Sequence, residues 1–156
     1  MASSERRIIH FESLDDVLRD AAQLAAVRHR TTGNWTLGQI CEHLALASDA
    51  CFDGFGDIQV PWWARWFIAP FVKKKFLLIE MRAGIQLPKT ATRLLPASEV
   101  SVNDGLAHLR RSFARFECEI PAAAHPFLGK LKGKHEYVLR QLRHGELHLS
   151  HVFPAA

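Results

Sequence analysis

Apolar residues recur at helical spacing in four stretches of this chain, separated by glycine, proline and small polar residues. Leu14, Val17, Leu18, Ala21, Leu24 and Ala25 follow Ser13-Leu-Asp-Asp16, whose acids suit the positive end of a helix. Leu37, Ile40, Leu44, Ala47 and Cys51 follow Thr36-Leu-Gly-Gln39, which reads as a capping box. Val102, Leu106, Leu109, Phe113 and Phe116 follow Ser101 and alternate steps of four and three, the pattern of a packing seam. Val138, Leu142, Gly145, Leu149 and Val152 make the fourth stripe. The spacing predicts helices near 14–29, 36–53, 102–117 and 133–150. Gly84, Pro88 and Pro96 mark 83–100 as an irregular crossover. An all-α four-helix bundle follows, one domain over 1–156, with its long crossover between the second and third main helices.

The whole chain is 156 residues, 48% hydrophobic and 23% charged, which suits one domain with its own core. No run of apolar residues is long enough to span a membrane, and Met-Ala-Ser-Ser-Glu-Arg-Arg lacks an apolar signal core. Cys41, Cys51 and Cys118 have no paired or metal-finger spacing, so free thiols and a cytoplasmic location are expected. A formal net charge of +4 without a recognisable groove-reading motif gives no reason to expect a nucleic-acid partner.

Residues 61–82 are aromatic and basic together. Trp62, Trp63 and Trp66 lie here, and five cations (Arg65, Lys73, Lys74, Lys75, Arg82) face one acid (Glu80). Such a segment can lie on a membrane surface. Pro61 and Pro70 argue instead for short helices whose aromatics pack on the bundle, line a pocket or form a dimer contact, leaving the lysines in water. A membrane partner is accordingly not expected.

His144, His148 and His151 stand at i, i+4 and i+7, within roughly 60° of arc on a helix. Tyr137 and Gln141 extend that stripe, beside the apolar one. Glu136, Arg140, Arg143 and Glu146 are expected on the opposite, watery half. Two histidines one turn apart can share an ion only if a third ligand comes from elsewhere. His43 sits at the inner edge of the second helix. A lone helical histidine is more often a packed edge residue than a ligand. His125, in His-Pro-Phe, is expected to hydrogen-bond loop backbone, and His10, His29, His108 and His135 to lie at surfaces or edges.

Two strings then resemble a known superfamily. Asn34-Trp-Thr-Leu-Gly-Gln-Ile-Cys-Glu-His-Leu-Ala45 resembles the second-helix motif of the DinB-like (YfiT-like) metal-binding four-helix proteins, and Arg143-His-Gly-Glu-Leu-His-Leu-Ser150 their fourth-helix His-x-x-x-His. Phe11 to Leu18, Gly33 to Gln39 and His125-Pro-Phe-Leu-Gly-Lys-Leu131 are similar to one uncharacterised branch of that superfamily. The resemblance implies a divalent ion (nickel, zinc, manganese or iron) held by His43, His144 and His148. It also implies a small-molecule substrate, with a low-molecular-weight thiol as one candidate, and homodimers. Thiol-S-transferases, isomerases and hydrolases occur among such proteins, and a non-catalytic binding module is the alternative. Two departures stand out. His151 occupies a place that is often hydrophobic, and His135-Glu-Tyr137 replaces Glu-Glu-Trp, which makes His151 and Tyr137 candidates for groups around the ligands. No protein nucleophile is apparent, so catalysis is expected to come mainly from the ion.

Overall fold

A computed structural model describes residues 5–58, 60–79 and 89–155. They are mostly helical: α1 (Leu14–Ala25), α2 (Leu37–Asp53), α3 (Ala69–Leu78), α4 (Val102–Cys118) and α5 (Gly133–Leu149), with a small sheet of β1 (His29–Thr31) and β2 (Val152–Pro154). A π-helical turn (Ala64–Ile68) precedes α3, and a 3-10 turn (Thr92–Leu94) precedes α4. The capping signatures operate as read. Ser13 and Thr36 each accept the backbone N–H three residues on, and the side chains of Asp16 and Gln39 return the bond to the cap backbone.

The first helix ends at Ala25 rather than near 29. His29–Thr31 instead pairs antiparallel with Val152–Pro154, His29 opposite Pro154 and Thr31 opposite Val152. The Arg30 guanidinium lies 4.5 Å over the Phe153 ring. A short two-stranded ladder supplies the backbone bonds that another turn of helix would have made, and it ties the end of α5 to the start of the α2 approach.

α2 and α4 pack most intimately. Gly38 and Gly105 face one another at their crossing, where a Cβ on Gly105 would overlap the Gly38 carbonyl and come within 3.2 Å of Cys41 Cβ. α5 meets α1, α2 and α3. One buried cluster joins Phe11, Val17, Leu44, Leu109, Leu142 and Val152, and a second gathers Cys51, Phe55, Leu94, Phe116, Leu131 and Tyr137 toward the other end of α5.

The charged residues of α5 do not all face water. Arg143 and Glu146 are buried and lie 2.8 Å apart. They clasp the lead-in segment, Glu146 Oε1 accepting from Phe11 N at 2.7 Å and Arg143 donating to Phe11 O at 2.9 Å. The extended segment covers that flank of α5, so its backbone needed polar partners there. His108 is likewise no mere edge residue, since its ring bridges Glu42 (2.7 Å) and Asp49 (2.9 Å) across the α2–α4 seam.

Pro70 does not interrupt the aromatic segment. It sits at the start of α3, where its missing N–H is not required, and the π turn before it takes up the change of register. Phe76 packs inward against Phe127. Trp62, Trp63, Trp66, Phe67 and Phe71 are exposed, contrary to the expectation that they pack on the bundle. The end of the expected 61–82 stretch, and most of the first half of the 83–100 crossover, lie outside the described residues.

Candidate metal centre

The periodicity of α2 puts His43 among its buried residues, and that of α5 buries His144 and leaves His148 half-buried one turn on. The two helices are in contact, and the three imidazoles meet between them. The Nε2 atoms of His43 and His144 are 3.1 Å apart, as are those of His144 and His148. One ligand nitrogen from each of the three lies within 4.8 Å of the other two. For metal–nitrogen bonds of about 2.0–2.1 Å, adjacent ligands of one ion stand roughly 3.0–3.4 Å apart, so the donor set fits a single divalent ion.

His43 is held in the tautomer that a ligand needs. Its Nδ1–H donates to the Leu94 carbonyl at 2.6 Å, which leaves the Nε2 lone pair facing the other two rings. Leu94 belongs to the crossover, and nothing in its residue type announces this role. Burial, above all, lowers the pKa of His43 and drives those of His144 and His148 well below the usual imidazole value, with mutual repulsion and Arg140 adding to it. The three rings are therefore neutral, the ligating form, at ordinary pH. Trp35, the residue just before the cap of α2, walls the cluster. Its ring lies 4.7 Å from that of His43 and stacks at 5.7 Å on that of His148.

Beside His43 and His144 opens a cavity of about 330 Å³. Phe55, Ile58, Phe76, Leu94, Phe127 and Leu131 give it an apolar wall. Cys51, His125, Tyr137, Arg140 and Gln141 supply the polar groups on it. The Gln141 amide donates to Cys51 Sγ at 3.2 Å, and its buried carbonyl oxygen has no partner among the described residues.

The remaining candidates fall elsewhere. His151 lies in the turn after α5 with its ring 3.1 Å from Thr32 Oγ1, outside the three-histidine cluster. Tyr137 does reach the cavity, but its hydroxyl donates to the Ala123 carbonyl at 2.8 Å. His125 Nδ1 accepts the backbone N–H groups of Phe127 and Leu128 at 3.2 and 3.1 Å, the loop role expected of it. That bonding puts its ring proton on Nε2. Burial pushes its pKa down to about 3, so it remains a neutral donor on the cavity wall. Arg140 and Cys51 are cavity residues that sequence reasoning did not select. The sequence reading places Arg140 on the half of α5 opposite the histidine stripe and Cys51 in the apolar stripe of α2. Burial raises the Cys51 thiol to about 11 and that of Cys41 to about 12, so neither is a thiolate nucleophile.

A family profile described as "Protein of unknown function (DUF1569)" matches residues 3–155. The chain belongs to this family. No curated protein and no solved structure matches it. As a DUF1569 protein it sits in an uncharacterised domain family, in keeping with the likeness of Phe11 to Leu18 and His125 to Leu131 to such a branch. Among its described residues, no helix is long and apolar enough to cross a membrane.

Proposed function

We propose that this protein is a divalent-metal-dependent enzyme acting on a small molecule, with thiol-S-transfer or hydrolysis as the reaction. One observation carries the reading: three neutral imidazoles point their Nε2 atoms at one spot beside an apolar cavity, with His43 pre-oriented by the Leu94 carbonyl. The DinB-like resemblance supports it from the sequence side. α1, α2, α4 and α5 stand in for the four bundle helices of that superfamily, and α3 lies within the long crossover.

His43, His144 and His148 would hold the ion, whose identity among nickel, zinc, manganese and iron the ligand set alone does not select. When bound it would supply Lewis-acid chemistry, lowering the pKa of a water or a low-molecular-weight thiol toward neutrality. The chain's own residues do the rest. Leu94 fixes the His43 tautomer, and the apolar wall excludes water from the bound substrate. The His125 Nε2–H offers a donor on the cavity wall for orienting it. A cytoplasmic setting suits the free thiols of Cys41, Cys51 and Cys118.

A second reading, a non-catalytic metal- or ligand-binding helical module, is favoured by the lack of an activated protein nucleophile in the cavity, where the Cys51 thiol is protonated and the Tyr137 hydroxyl is tied to backbone. Elemental analysis of untagged protein, paired with turnover assays, separates the two. One ion per chain is expected. His43→Ala and His148→Ala should each abolish stoichiometric binding, and His125→Ala should retain it. Retention in both of the first two variants overturns the site. Silence with a full complement of metal, across thiol-plus-electrophile and hydrolytic panels, moves the assignment to the binding module.

A further inference from the structure

Residues 61–79 carry Arg65, Lys73, Lys74 and Lys75 and no acid. They also hold the largest exposed apolar side chains of the described chain in one place, Trp66 at 73% and Phe71 at 84% accessible among them. The π turn explains how these share a side. Counted at roughly 100° per residue, an unbroken α-helix over 62–78 would scatter the buried residues Ala64, Ala69 and Leu77 over more than half its circumference. A π turn acts as one inserted residue and rotates everything beyond it back by roughly 100°. Ala64, Ala69, Phe76 and Leu77 then gather on the inner side. Trp62, Trp63, Trp66, Phe67, Phe71 and Leu78 gather on the outer one, with Lys74 and Lys75 inside the same arc and Arg65 at its edge. Lys73 lies toward the protein instead, 3.1 Å from Glu136.

We infer that this outer face is a docking surface for an anionic lipid bilayer, on which the helix lies in the plane of the interface. Tryptophans suit the headgroup region, the phenylalanines and Leu78 the acyl boundary, and the cations the negative surface. Charge decides against a second copy of the chain as the occupant. A two-fold contact sets the same patch against itself, bringing Lys74 and Lys75 of each copy together with no acid in the segment to neutralise them. Phe76, on the inner side of the same helix, lines the cavity beside the histidine cluster, so docking puts the bilayer next to that cavity wall.

The test uses the full chain with vesicles of phosphatidylcholine alone and of equal parts phosphatidylcholine and phosphatidylserine. Co-sedimentation with the mixed vesicles at low salt is expected, with a blue shift of tryptophan emission and release as salt rises. Each cation near such a surface contributes about fivefold, so Lys74→Glu/Lys75→Glu should weaken binding at least about 25-fold. Trp66→Ser/Phe71→Ser should weaken it at least about tenfold. Arg110→Glu/Arg111→Glu changes net charge equally but on an exposed part of α4, and should stay within about threefold of the parent. All these positions are exposed, so helical circular dichroism should not change. No sedimentation with mixed vesicles, or an equal loss in the Arg110/Arg111 control, overturns the inference. So does self-association in analytical ultracentrifugation that Trp66→Ser/Phe71→Ser dissolves, because the face is then covered by a second copy.

Discussion

Gly105→Ala tests the packing that positions His43. A new Cβ at this site would overlap the Gly38 carbonyl oxygen and stand 3.1 Å from the carbonyl carbon, both backbone atoms of α2. No rotamer change relieves a clash with backbone, so α4 must move away from α2. Overpacking of this kind costs about 3 kcal/mol at the upper end of the usual range. Alanine in place of a helical glycine returns at most about 1 kcal/mol of helix propensity. The steric effect wins, for a net loss of about 2 kcal/mol. In a domain of this size that lowers the melting temperature by roughly 4–8 °C. Gly145→Ala is the internal contrast, since the atoms nearest its Cβ would be the Val17 methyls, at 3.1 and 3.3 Å, and Phe11 Cδ2, at 3.8 Å, and side chains can give. Its effect should stay within about 1 kcal/mol, because gain and cost nearly cancel. Thermal and urea unfolding followed by circular dichroism measure both. A Gly105→Ala protein as stable as the parent would refute the close α2–α4 approach.

Glu146→Ala leaves the buried Arg143 guanidinium without its carboxylate and Phe11 N without its acceptor, so urea unfolding should show a loss of about 3–5 kcal/mol, with Arg143→Met/Glu146→Leu recovering part of it. For His108, burial lowers the pKa, but the hydrogen bonds to Glu42 and Asp49 outweigh it and the net shift is upward from 6.5. Its stabilisation is therefore fully present below pH 6.5 and fades as pH rises through the raised value; His108→Gln should remove that fading, as read from denaturation midpoints across the window. His43, His144, His148 and His125 are shifted the other way, His125 to about 3, so below pH 6.5 the unfolded chain takes up protons that the folded one refuses. Stability of the metal-free protein should fall as pH drops from 6.5, and a flat profile there would contradict the burial of these rings.

The main helices were legible because each writes its own period into contiguous residues, and α1, α2 and α4 their N-caps as well. Ser13 with Asp16 and Thr36 with Gln39 are local statements, and the structure honours them as such. His144 and His148 were legible for the same reason, one turn apart on one helix. What joins distant segments was not. The β1–β2 ladder depends on the chain after α5 returning beside Arg30, and no local pattern in either three-residue strand encodes its partner. The Leu94 carbonyl is backbone and carries no residue signature at all. Arg143 and Glu146 looked like a solvated face because each is charged; only the packing of Phe11 along α5 turns them into a buried clasp. That Phe71, Leu78 and the lysines share the tryptophans' outward side depends on one π turn, a register change that counting at α-helical spacing misses.

The charge around the histidine cluster narrows the chemistry of the proposed site. Among the described residues, the groups acting most strongly on His144 and His148 from outside the cluster are Arg140, His125, His151 and Arg6, and none of these is a carboxylate. Glu146 lies between His144 and His148 in sequence, yet its side chain is committed to Arg143 and Phe11 on another flank of α5. A dication held there by three neutral imidazoles would keep its full charge, since the rings themselves bring none to offset it. Such a site favours a partner that arrives as, or readily becomes, an anion. A thiol, with an ordinary pKa of about 8.5, ionises far more easily than water at 15.7, so the same electrostatic pull takes it further toward the charged form at neutral pH. The apolar wall beyond, with Phe55, Phe76 and Phe127, then selects for an uncharged body on the reacting molecule. Within the proposed function, this balance of charge and surface favours thiol transfer to an apolar electrophile over hydrolysis of a charged one.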